Sequence, residues 1–563
     1  MHPLLSEDTG KNMLLLGNEA IVRGALEAGC AVAAAYPGTP SSEIGNNLFF
    51  ISQEKDSPIY FEFSTNEKVA MEVAAAAAAA GVRSLTCMKH VGMNVASDVL
   101  MTLAYVGVRG GMVIVTADDP SMHSSQNEQD NRCYARFANL PMLEPTSSAE
   151  ARDMTVAAFE LSEALELPVI LRTTTRTSHV RGPVELGALP GEVKRKGGFQ
   201  KDPRRWVPVP AVARIRHKVL LEQAEKARAF SEESAFNILS GSGPLGIVAS
   251  GVSACYVEDA VMELGCSEKV SFLRLGFPYP FPREMLGSFL KGVEKVLVVE
   301  ELEPFLEEEI KLISRDLGLD ILVMGKGTGH FSRMYEFDPL MVKRAIADAA
   351  GLDLERPGQP DFSGIPVLPM RPPVLCKGCP HRETYNAVKD ALKELGLEEK
   401  AIYPTDIGCY TLGLLPPIQM ADYLLCMGSS VGTSAGFSVS TDHKIISFIG
   451  DSTFFHSGIS SLASAFHNRH EFCLVILDNS TTAMTGHQPN PGIEIRPPGY
   501  DKPRIPIEDV VRGLGITDIH KVNPYKKRDA RAVFKDVLSR GGLSVVIAEA
   551  PCILYYKKFG GKK

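Results

Sequence analysis

Two short apolar runs near the end of the chain are each followed by a residue that could bind a metal ion. Residues 445–449 predict a strand that ends at Gly450 and Asp451, and residues 474–477 predict a strand that leads to Asn479. A helix predicted over residues 453–468 separates the strands, so both should end at the same edge of a parallel sheet. Oxygen ligands of this kind suit Mg²⁺ that also holds phosphate oxygens. The sequence predicts a diphosphate–metal site, although a helix cap and a turn residue are the alternative.

A second candidate is the carboxylate of Glu67. It lies at the start of a strongly apolar stretch, EKVAMEVAAAAAAAG, that predicts a helix. A carboxylate that such a helix shields from water can exchange a proton near neutral pH. The alternative is a surface glutamate favoured by the helix dipole.

Four cysteines form a third candidate site. Cys376 and Cys379 make one CxxC pair, Cys409 lies in DIGCYTL, and Cys552 lies in EAPCIL. Thiolates from separate loops are what a [4Fe–4S] cluster requires, but a CxxC pair also suits zinc or a redox dithiol. Four unrelated buried thiols are the remaining alternative. The other seven cysteines lie in or beside apolar runs and are expected to be structural.

The elements that must position these residues alternate in type. Short apolar runs at 30–35, 85–88, 112–116 and 169–171 are separated by helix-length segments, and a second block has runs at 245–249, 271–275 and 295–299. The pattern predicts an α/β fold of several doubly wound parallel-sheet domains. We expect domains at 1–190, 240–350 and 366–563. The basic, proline-containing segment 191–239 lacks clear periodicity and is interpreted as an interdomain crossing.

Composition narrows the functional classes. The chain has 563 residues, a net charge of -8, 45% hydrophobic and 22% charged residues. The length favours three or four domains, and the acidic balance argues against nucleic-acid binding. No apolar run approaches the length of a membrane span, and the start does not read as a signal peptide. We therefore expect a cytoplasmic protein with small-molecule or protein partners.

Three groups of motifs together resemble a known family. They are AAAYPGTPSSE with STNEKVAMEVAAAAAAAG and TADDPSMHSSQNEQD, then SGVSACYVEDA with VVEELEPFLEEEIK, and finally LCKGCPHRETYNA with TDIGCYTLGLLPP and CMGSSVGTSAG. The chain resembles the 2-oxoacid:ferredoxin oxidoreductases, most closely the large subunits of the indolepyruvate type. The resemblance implies pyrimidine-binding and diphosphate-binding thiamine-diphosphate domains at 1–190 and 366–563. It implies a transketolase C-terminal-like domain at 240–350.

The resemblance also implies roles for individual residues. Glu67 would activate the aminopyrimidine and Thr39 would lie near the thiazolium, while Asp451, Asn479 and the carbonyl of Thr481 would hold Mg²⁺. Ser452 stands where the family commonly has glycine. The remaining expected cofactor contacts are Gly428, Ser429, Gly450 and Ser452. His90 and His123 are candidates to touch substrate or cofactor, as are His381 and His487, although any single histidine could be structural. Cys376, Cys379, Cys409 and Cys552 would hold the [4Fe–4S] cluster beside thiamine.

The implied reaction is oxidative decarboxylation of an aryl 2-oxoacid to an acyl-CoA, with coenzyme A as co-substrate. Electrons would pass through the cluster to ferredoxin or another acceptor. The expected partner is the family's smaller β subunit, in a hetero-oligomer of α2β2 type. The sequence ends without the ferredoxin-like domain common in this family, which motivates one alternative, a non-oxidative decarboxylase that releases an aldehyde. A catalytically silent partner subunit is a further alternative.

Overall fold

The computed structural model describes residues 2–354, 364, 366–367, 369, 371–494, 496–497 and 500–559. They fall into two compact units, Met1–Gln359 and Pro360–Lys563. The expected segments 1–190 and 240–350 both belong to the first unit. The division into domains at the expected boundaries stays a prediction. Part of the segment between residues 350 and 366, which would link the last two domains, lies outside the described residues. No described helix is both long enough and apolar enough to cross a bilayer.

The first unit contains two main sheets and the helices that cover them. Its strands are β1 (Asn12–Leu16), β2 (Val32–Ala35), β3 (Tyr60–Phe63), β4 (Ser84–Lys89), β5 (Met112–Asp118), β6 (Met142–Leu143), β7 (Val169–Thr174), β8 (Arg181–Glu185), β9 (Asn237–Gly241), β10 (Leu245–Ser250), β11 (Val270–Leu275), β12 (Lys295–Val299) and β13 (Leu322–Met324). Its helices are α1 (Gly17–Glu27), α2 (Ser42–Ser52), α3 (Glu67–Ala79), α4 (His90–Val106), α5 (Arg132–Ala138), α6 (Ser148–Leu165), α7 (Thr175–His179), α8 (Pro203–Trp206), α9 (Pro210–Glu232), α10 (Val252–Glu263), α11 (Arg283–Lys291), α12 (Phe305–Asp316) and α13 (Pro339–Ala349).

The sheet topology follows from the apolar runs. The first sheet has the order β3-β2-β4-β5-β7-β6 and is parallel throughout. The second has the order β13-β12-β10-β11-β9, with only β9 antiparallel. One apolar core joins them, because Met112 and Ile114 of β5 belong to the same cluster as Val248 of β10 and Leu273 of β11. The predicted α/β class with parallel sheets is confirmed.

The basic segment 191–239 is more regular than its sequence indicates. It contains the 23-residue helix α9 and, at its end, the first strand of the second sheet. Only Leu220, Ala227 and Ser231 of α9 are buried, so the apolar stripe is too narrow to give a clear period. The guanidinium of Arg216 donates to the carbonyl of Tyr105 on α4 at 2.8 Å. The helix therefore packs through basic side chains as well as apolar ones.

The second unit is built on one parallel sheet with the order β14-β15-β16-β18-β17. Alternate residues of the central strand enter two cores, as Val475 packs on one face and Leu474 and Ile476 on the other. Helices therefore cover both faces. The strands are β14 (Ala401–Ile402), β15 (Lys444–Gly450), β16 (Cys473–Asp478), β17 (Ile519–Val522) and β18 (Ser544–Glu549). The helices are α14 (Pro380–Leu395), α15 (Ser429–Ser440), α16 (Asp451–Thr453), α17 (Ile459–His467), α18 (Ile507–Gly513), α19 (Lys527–Ser539) and α20 (Ile553–Phe559).

Candidate functional site

Glu67 is the first residue of α3 and is 5% exposed. Asn66 caps the helix, because its side chain accepts a hydrogen bond from the Val69 amide at 2.9 Å. The carboxylate lies against Gly92 of α4, where a Cβ atom would stand 2.7 Å from Oε1 of Glu67. The absence of a side chain at position 92 thus makes room for this carboxylate. The placement agrees with the shielded carboxylate that the sequence suggested, while the role of Glu67 stays a prediction.

The Thr39 loop connects β2 to α2 and meets the loop that follows β5. The Thr39–Pro40 peptide bond is cis, and Thr39 Oγ1 lies 3.4 Å from Ser42 Oγ. The Ser124 hydroxyl donates to the Thr39 carbonyl at 3.2 Å. Two sheet-edge loops that are 85 residues apart in sequence are thereby held together, at the edge where such sheets bind ligands.

The two histidines of this edge differ in environment. His90 is fully buried, and its Nε2 lies 3.1 Å from the side-chain oxygen of Asn127. Its Nδ1 is buried and has no hydrogen-bond partner among the described residues. Burial lowers the pKa of His90, so the ring is neutral at pH 7. His123 is half exposed and its Nε2 lies 3.2 Å from Glu336 Oε1, so it pairs with a carboxylate instead.

Lys89 is a residue of this edge that sequence reasoning missed. It ends β4, its methylene chain packs over Gly38, and its Nζ donates to the Ser124 carbonyl at 2.8 Å. Burial lowers the pKa of Lys89 to about 8, against the opposing charges of Asp119 and Glu67. The sequence shows that Lys89 directly precedes His90. It does not show that Lys89 lies near Glu67 and Asp119, because that proximity depends on the order of the strands in the sheet.

The second unit brings together the three residues expected to bind Mg²⁺. Asp451 begins α16 directly after β15, and Asn479 follows β16. The Asn479 side-chain oxygen lies 2.7 Å from the Thr481 carbonyl oxygen and 3.3 Å from Asp451 Oδ1 in one orientation of its amide. All three residues are nearly buried. In that orientation three oxygen acceptors face one another, whereas exchanging the amide oxygen and nitrogen would let the Asn479 nitrogen donate to the other two.

This arrangement fits a magnesium ion. Octahedral ligands about 2.1 Å from Mg²⁺ have neighbouring oxygens about 3 Å apart, and the two observed separations fall on either side of that value. Burial, followed by the nearby Asp478 charge, raises the pKa of Asp451. A cation would stabilise the charged form of this carboxylate. Asp451 Oδ2 also accepts hydrogen bonds from the Thr481 amide at 3.1 Å and from Asn490 at 3.0 Å.

The other expected cofactor contacts lie in turns with specific hydrogen bonds. Gly428 caps α15 with a φ of 85°, a conformation that favours glycine. Its amide and that of Ser430 donate to the Asp406 carboxylate at 2.6 and 3.0 Å. The Ser429 hydroxyl accepts from the Cys426 amide at 3.2 Å. Asp406 thus holds the predicted diphosphate turn, a role that no sequence spacing revealed.

Gly450 and Ser452 flank Asp451 at the end of β15. Gly450 is the last residue of the strand, and a Cβ atom there would stand 2.6 Å from the Tyr410 ring. The Thr482 hydroxyl donates to Ser452 Oγ at 2.9 Å. The serine in place of the family's usual glycine therefore joins the two loops that carry Asp451 and Asn479.

The four candidate cluster cysteines come from three separate segments of the second unit. Burial raises the pKa of Cys409 to about 12, and the nearby Cys379, Cys552 and Cys376 add to this effect. The Cys552 amide donates to the Asn479 carbonyl at 2.9 Å, which ties the last cysteine to the loop that carries this predicted metal ligand. Across the described parts of both units, no group of three or more His, Cys, Asp or Glu side chains is arranged to hold a metal ion. The cysteines are thus neighbours without a ligand geometry.

His381 and His487 also lie in the second unit. His381 is 3% exposed, and its Nε2 lies 3.1 Å from the side-chain nitrogen of Asn479 in the same amide orientation. His487 has a positive φ of 67°, and its ring centre lies 5.7 Å from that of Tyr555. Within the described part of the chain, His381 contacts a predicted metal ligand and His487 packs against an aromatic ring instead.

Comparisons with known proteins identify the family of the chain. The family "Thiamine pyrophosphate enzyme, C-terminal TPP binding domain" matches residues 406–548, and "Pyruvate flavodoxin/ferredoxin oxidoreductase, thiamine diP-bdg" matches residues 23–232. The chain is 52% identical over 555 residues to the indolepyruvate oxidoreductase subunit IorA of Methanothermobacter marburgensis, covering 98% of this chain and 88% of that protein. It is 47% identical to the same subunit of Thermococcus kodakarensis, over 98% and 87% of the two chains.

A solved 2-oxoglutarate:ferredoxin oxidoreductase from Magnetococcus marinus, with 2-oxoglutarate, coenzyme A and succinyl-CoA bound, is 15% identical to the chain. The match covers 61% of this chain and 66% of that one, with a TM-score of 0.47. The family matches place thiamine-diphosphate domains in both units, which confirms the predicted fold class. With relatives this similar over nearly its whole length, the chain belongs to the IorA family of indolepyruvate oxidoreductase subunits, within the thiamine-diphosphate-dependent 2-oxoacid oxidoreductases.

Proposed function

We propose that the chain catalyses the oxidative decarboxylation of an aryl 2-oxoacid of the indolepyruvate type to an acyl-CoA, with thiamine diphosphate and Mg²⁺ as cofactors. The observation that carries the proposal is the set of oxygens from Asp451, Asn479 and Thr481. Their separations suit a hydrated diphosphate–magnesium complex. The names of the IorA relatives support the choice of an indolepyruvate-type substrate.

Each unit contributes its own part of the chemistry in this proposal. Bound thiamine diphosphate supplies the carbanion centre that allows CO₂ to leave a 2-oxoacid. Asp451, Asn479 and the Thr481 carbonyl hold the metal. Glu67 exchanges a proton with a nitrogen of the aminopyrimidine, in a position that Gly92 keeps open and α3 keeps dry. Thr39 and His90 are the further groups that we assign to this edge, and the half-exposed His123 is a candidate to contact substrate.

The electron path is the second part of the proposal. Cys376, Cys379, Cys409 and Cys552 would hold a [4Fe–4S] cluster, since four thiolates from separate loops are the ligand set that such a cluster uses. The mutual effects of these thiols on the pKa of Cys409 support their proximity. Electrons would leave to ferredoxin or another acceptor. Coenzyme A takes the acyl group.

The chain is proposed to work with a smaller β subunit in an α2β2-type assembly in the cytoplasm. The word subunit in the names of the IorA relatives supports a heteromeric enzyme. No binding to nucleic acid or membrane is expected, which agrees with the net charge of -8.

Glu67→Gln tests the catalytic role. The amide keeps the shape of the side chain but cannot take up a proton, so turnover of indolepyruvate should fall by about 100-fold or more. Thiamine diphosphate affinity, measured by calorimetry, should change little. Glu72→Gln is the matched control, because Glu72 lies on the same helix and forms an exposed pair with Lys68. Equal turnover in Glu67→Gln and wild type would refute the proposed mechanism.

Non-oxidative decarboxylation is the second candidate. The lack of a metal-ligand geometry among the described cysteines favours it. Iron and acid-labile sulfide should be measured in protein purified without oxygen, beside a Cys376→Ala/Cys379→Ala variant. About four irons per chain that disappear in the variant would support the oxidoreductase. Iron-free protein that releases an aldehyde from indolepyruvate would establish the second candidate instead.

A further inference from the structure

The imidazole of His381 contacts a predicted metal ligand from outside the site. His381 is the second residue of α14, which begins directly after Cys379. It is 3% exposed, and its Nε2 lies 3.1 Å from the amide group of Asn479. The Tyr410 ring packs edge-on against the imidazole, with ring centres 5.8 Å apart. Asn479 therefore has the metal site on one side and a buried imidazole on the other.

Turning the side-chain amide of Asn479 by 180° exchanges its oxygen and nitrogen without changing its shape, so two alternative orientations can be compared. In the first, its oxygen faces the Thr481 carbonyl and Asp451 Oδ1, and its nitrogen faces His381 Nε2. In the second, its nitrogen donates to the Thr481 carbonyl at 2.7 Å and to Asp451 at 3.3 Å, and its oxygen accepts from His381 Nε2. The first orientation gathers three acceptors and suits a bound cation. The second satisfies the same acceptors without one.

The two orientations require opposite roles of the same imidazole nitrogen. His381 Nε2 must accept a hydrogen bond in the first orientation and donate one in the second. A neutral imidazole can do both, because its single proton can occupy either ring nitrogen. The exchange therefore changes the tautomer and leaves the charge of the ring unaltered.

We propose that His381 is a positioning residue for the cation site. When Mg²⁺ is bound, His381 accepts a hydrogen bond from the Asn479 amide nitrogen and so turns the amide oxygen toward the cation. When the cation leaves, His381 donates a hydrogen bond to that oxygen instead. The inference rests on the proposed magnesium site. From the sequence CPHR alone, this histidine could equally have been a structural residue. The inference gives it a role at the metal site.

The first test measures binding of Mg²⁺ with thiamine diphosphate to the full chain by calorimetry. His381→Phe keeps an aromatic ring but neither donates nor accepts, so affinity should fall by about 10- to 100-fold, as for other groups that orient metal ligands. His381→Gln can do both and should restore most of the affinity. Equal affinity in His381→Phe and wild type would overturn the proposal.

The second test follows the tautomer of His381 in the wild-type chain. Nitrogen NMR of histidine-labelled wild-type chain should show one Nε2 change from protonated to unprotonated when Mg²⁺ and thiamine diphosphate are added. The signal is assigned by its absence in His381→Gln. An unchanged His381 tautomer, with binding that Asp451→Ala abolishes, would refute the inference and leave the proposed metal site standing. Cation binding that survives in Asp451→Ala would refute the site itself and, with it, the inference.

Discussion

At the scale of single residues, Gly92 controls the space available to Glu67. A Cβ atom at position 92 would stand 2.7 Å from both Cγ and Oε1 of that side chain. Gly92→Ala should therefore displace the carboxylate and lower turnover by about 100-fold, the effect of a misplacement near 1 Å. The added methyl group should also strain the packing of α4 against Glu67. This strain should offset the gain in stability expected from the higher helix propensity of alanine. Steady-state kinetics and urea unfolding measure the two effects.

Gly432→Ala is the control for this prediction. Gly432 also lies within a helix, α15, but no described atom beyond the adjacent turns of that helix stands within 4 Å of a Cβ atom there. Helix propensity should then stabilise the variant by about 0.5–1 kcal/mol, with unchanged turnover. Unchanged turnover in Gly92→Ala as well would show that the carboxylate tolerates the displacement.

Sequence reasoning worked best for residues whose role depends on local position. Asp451 and Asn479 follow consecutive strands, so their approach could be predicted from the order of strands alone. Lys89 and Asp406 could not be found in this way. Their surroundings come from loops of other strands, and the sequence contains no period that connects those loops.

At the scale of elements, Asp406 fixes the turn that begins α15. Its carboxylate accepts from the amides of Gly428 and Ser430, and hydrogen bonds to a charged group contribute about 1.5–3 kcal/mol each. In Asp406→Asn, the backbone amide of either Gly428 or Ser430 would face the side-chain NH₂ group and lose its acceptor. We expect about tenfold weaker binding of Mg²⁺ with thiamine diphosphate, measured by calorimetry.

Asp422→Asn is the control for the Asp406 prediction. Asp422 is exposed and, among the described residues, accepts one backbone hydrogen bond, from the Tyr403 amide at 2.8 Å, which an asparagine oxygen can also accept. Its cofactor affinity should equal that of wild type. Weakened binding in both variants would show that the effect does not depend on the turn.

The elements themselves were predicted with different success. The strand expected at 445–449 is Lys444–Gly450, and the one expected at 474–477 is Cys473–Asp478. The helix expected over 453–468 is interrupted, because Phe454–Gly458 form a π-helical turn between α16 and α17. Hydrophobic periodicity does not distinguish such a turn from an α-helix over five residues.

At the scale of the whole molecule, buried ion pairs join the two sheets of the first unit. Arg132 Nη1 lies 2.7 Å from Glu300 Oε2 and Nη2 lies 2.6 Å from Asp130 Oδ2, and all three side chains are about 1% exposed. Removing one partner leaves uncompensated buried charges, so Arg132→Met should lower the free energy of unfolding by about 3–5 kcal/mol. The single tryptophan, Trp206, lies in this unit, and its fluorescence during urea unfolding measures the change.

Arg333→Met is the matched control, since Arg333 forms an exposed pair with Glu303 in the same unit. Its removal should change the free energy of unfolding by at most about 1 kcal/mol. Equal effects of the two variants would mean that the buried pairs add no stability beyond that of a surface pair. The contact of Arg132 with Glu300 spans 168 residues, which is why no local pattern predicted it.

The bond from the Cys552 amide to the Asn479 carbonyl has a consequence for how the enzyme matures. A cluster that fixes Cys552 would also restrain the backbone of Asn479, a proposed magnesium ligand. By thermodynamic linkage, magnesium bound at Asn479 would restrain Cys552 by the same amount. If the proposed cluster and the proposed thiamine diphosphate both bind, the loading of iron and of the vitamin-derived cofactor would then assist each other. A cell short of either nutrient would accumulate a chain that holds both poorly.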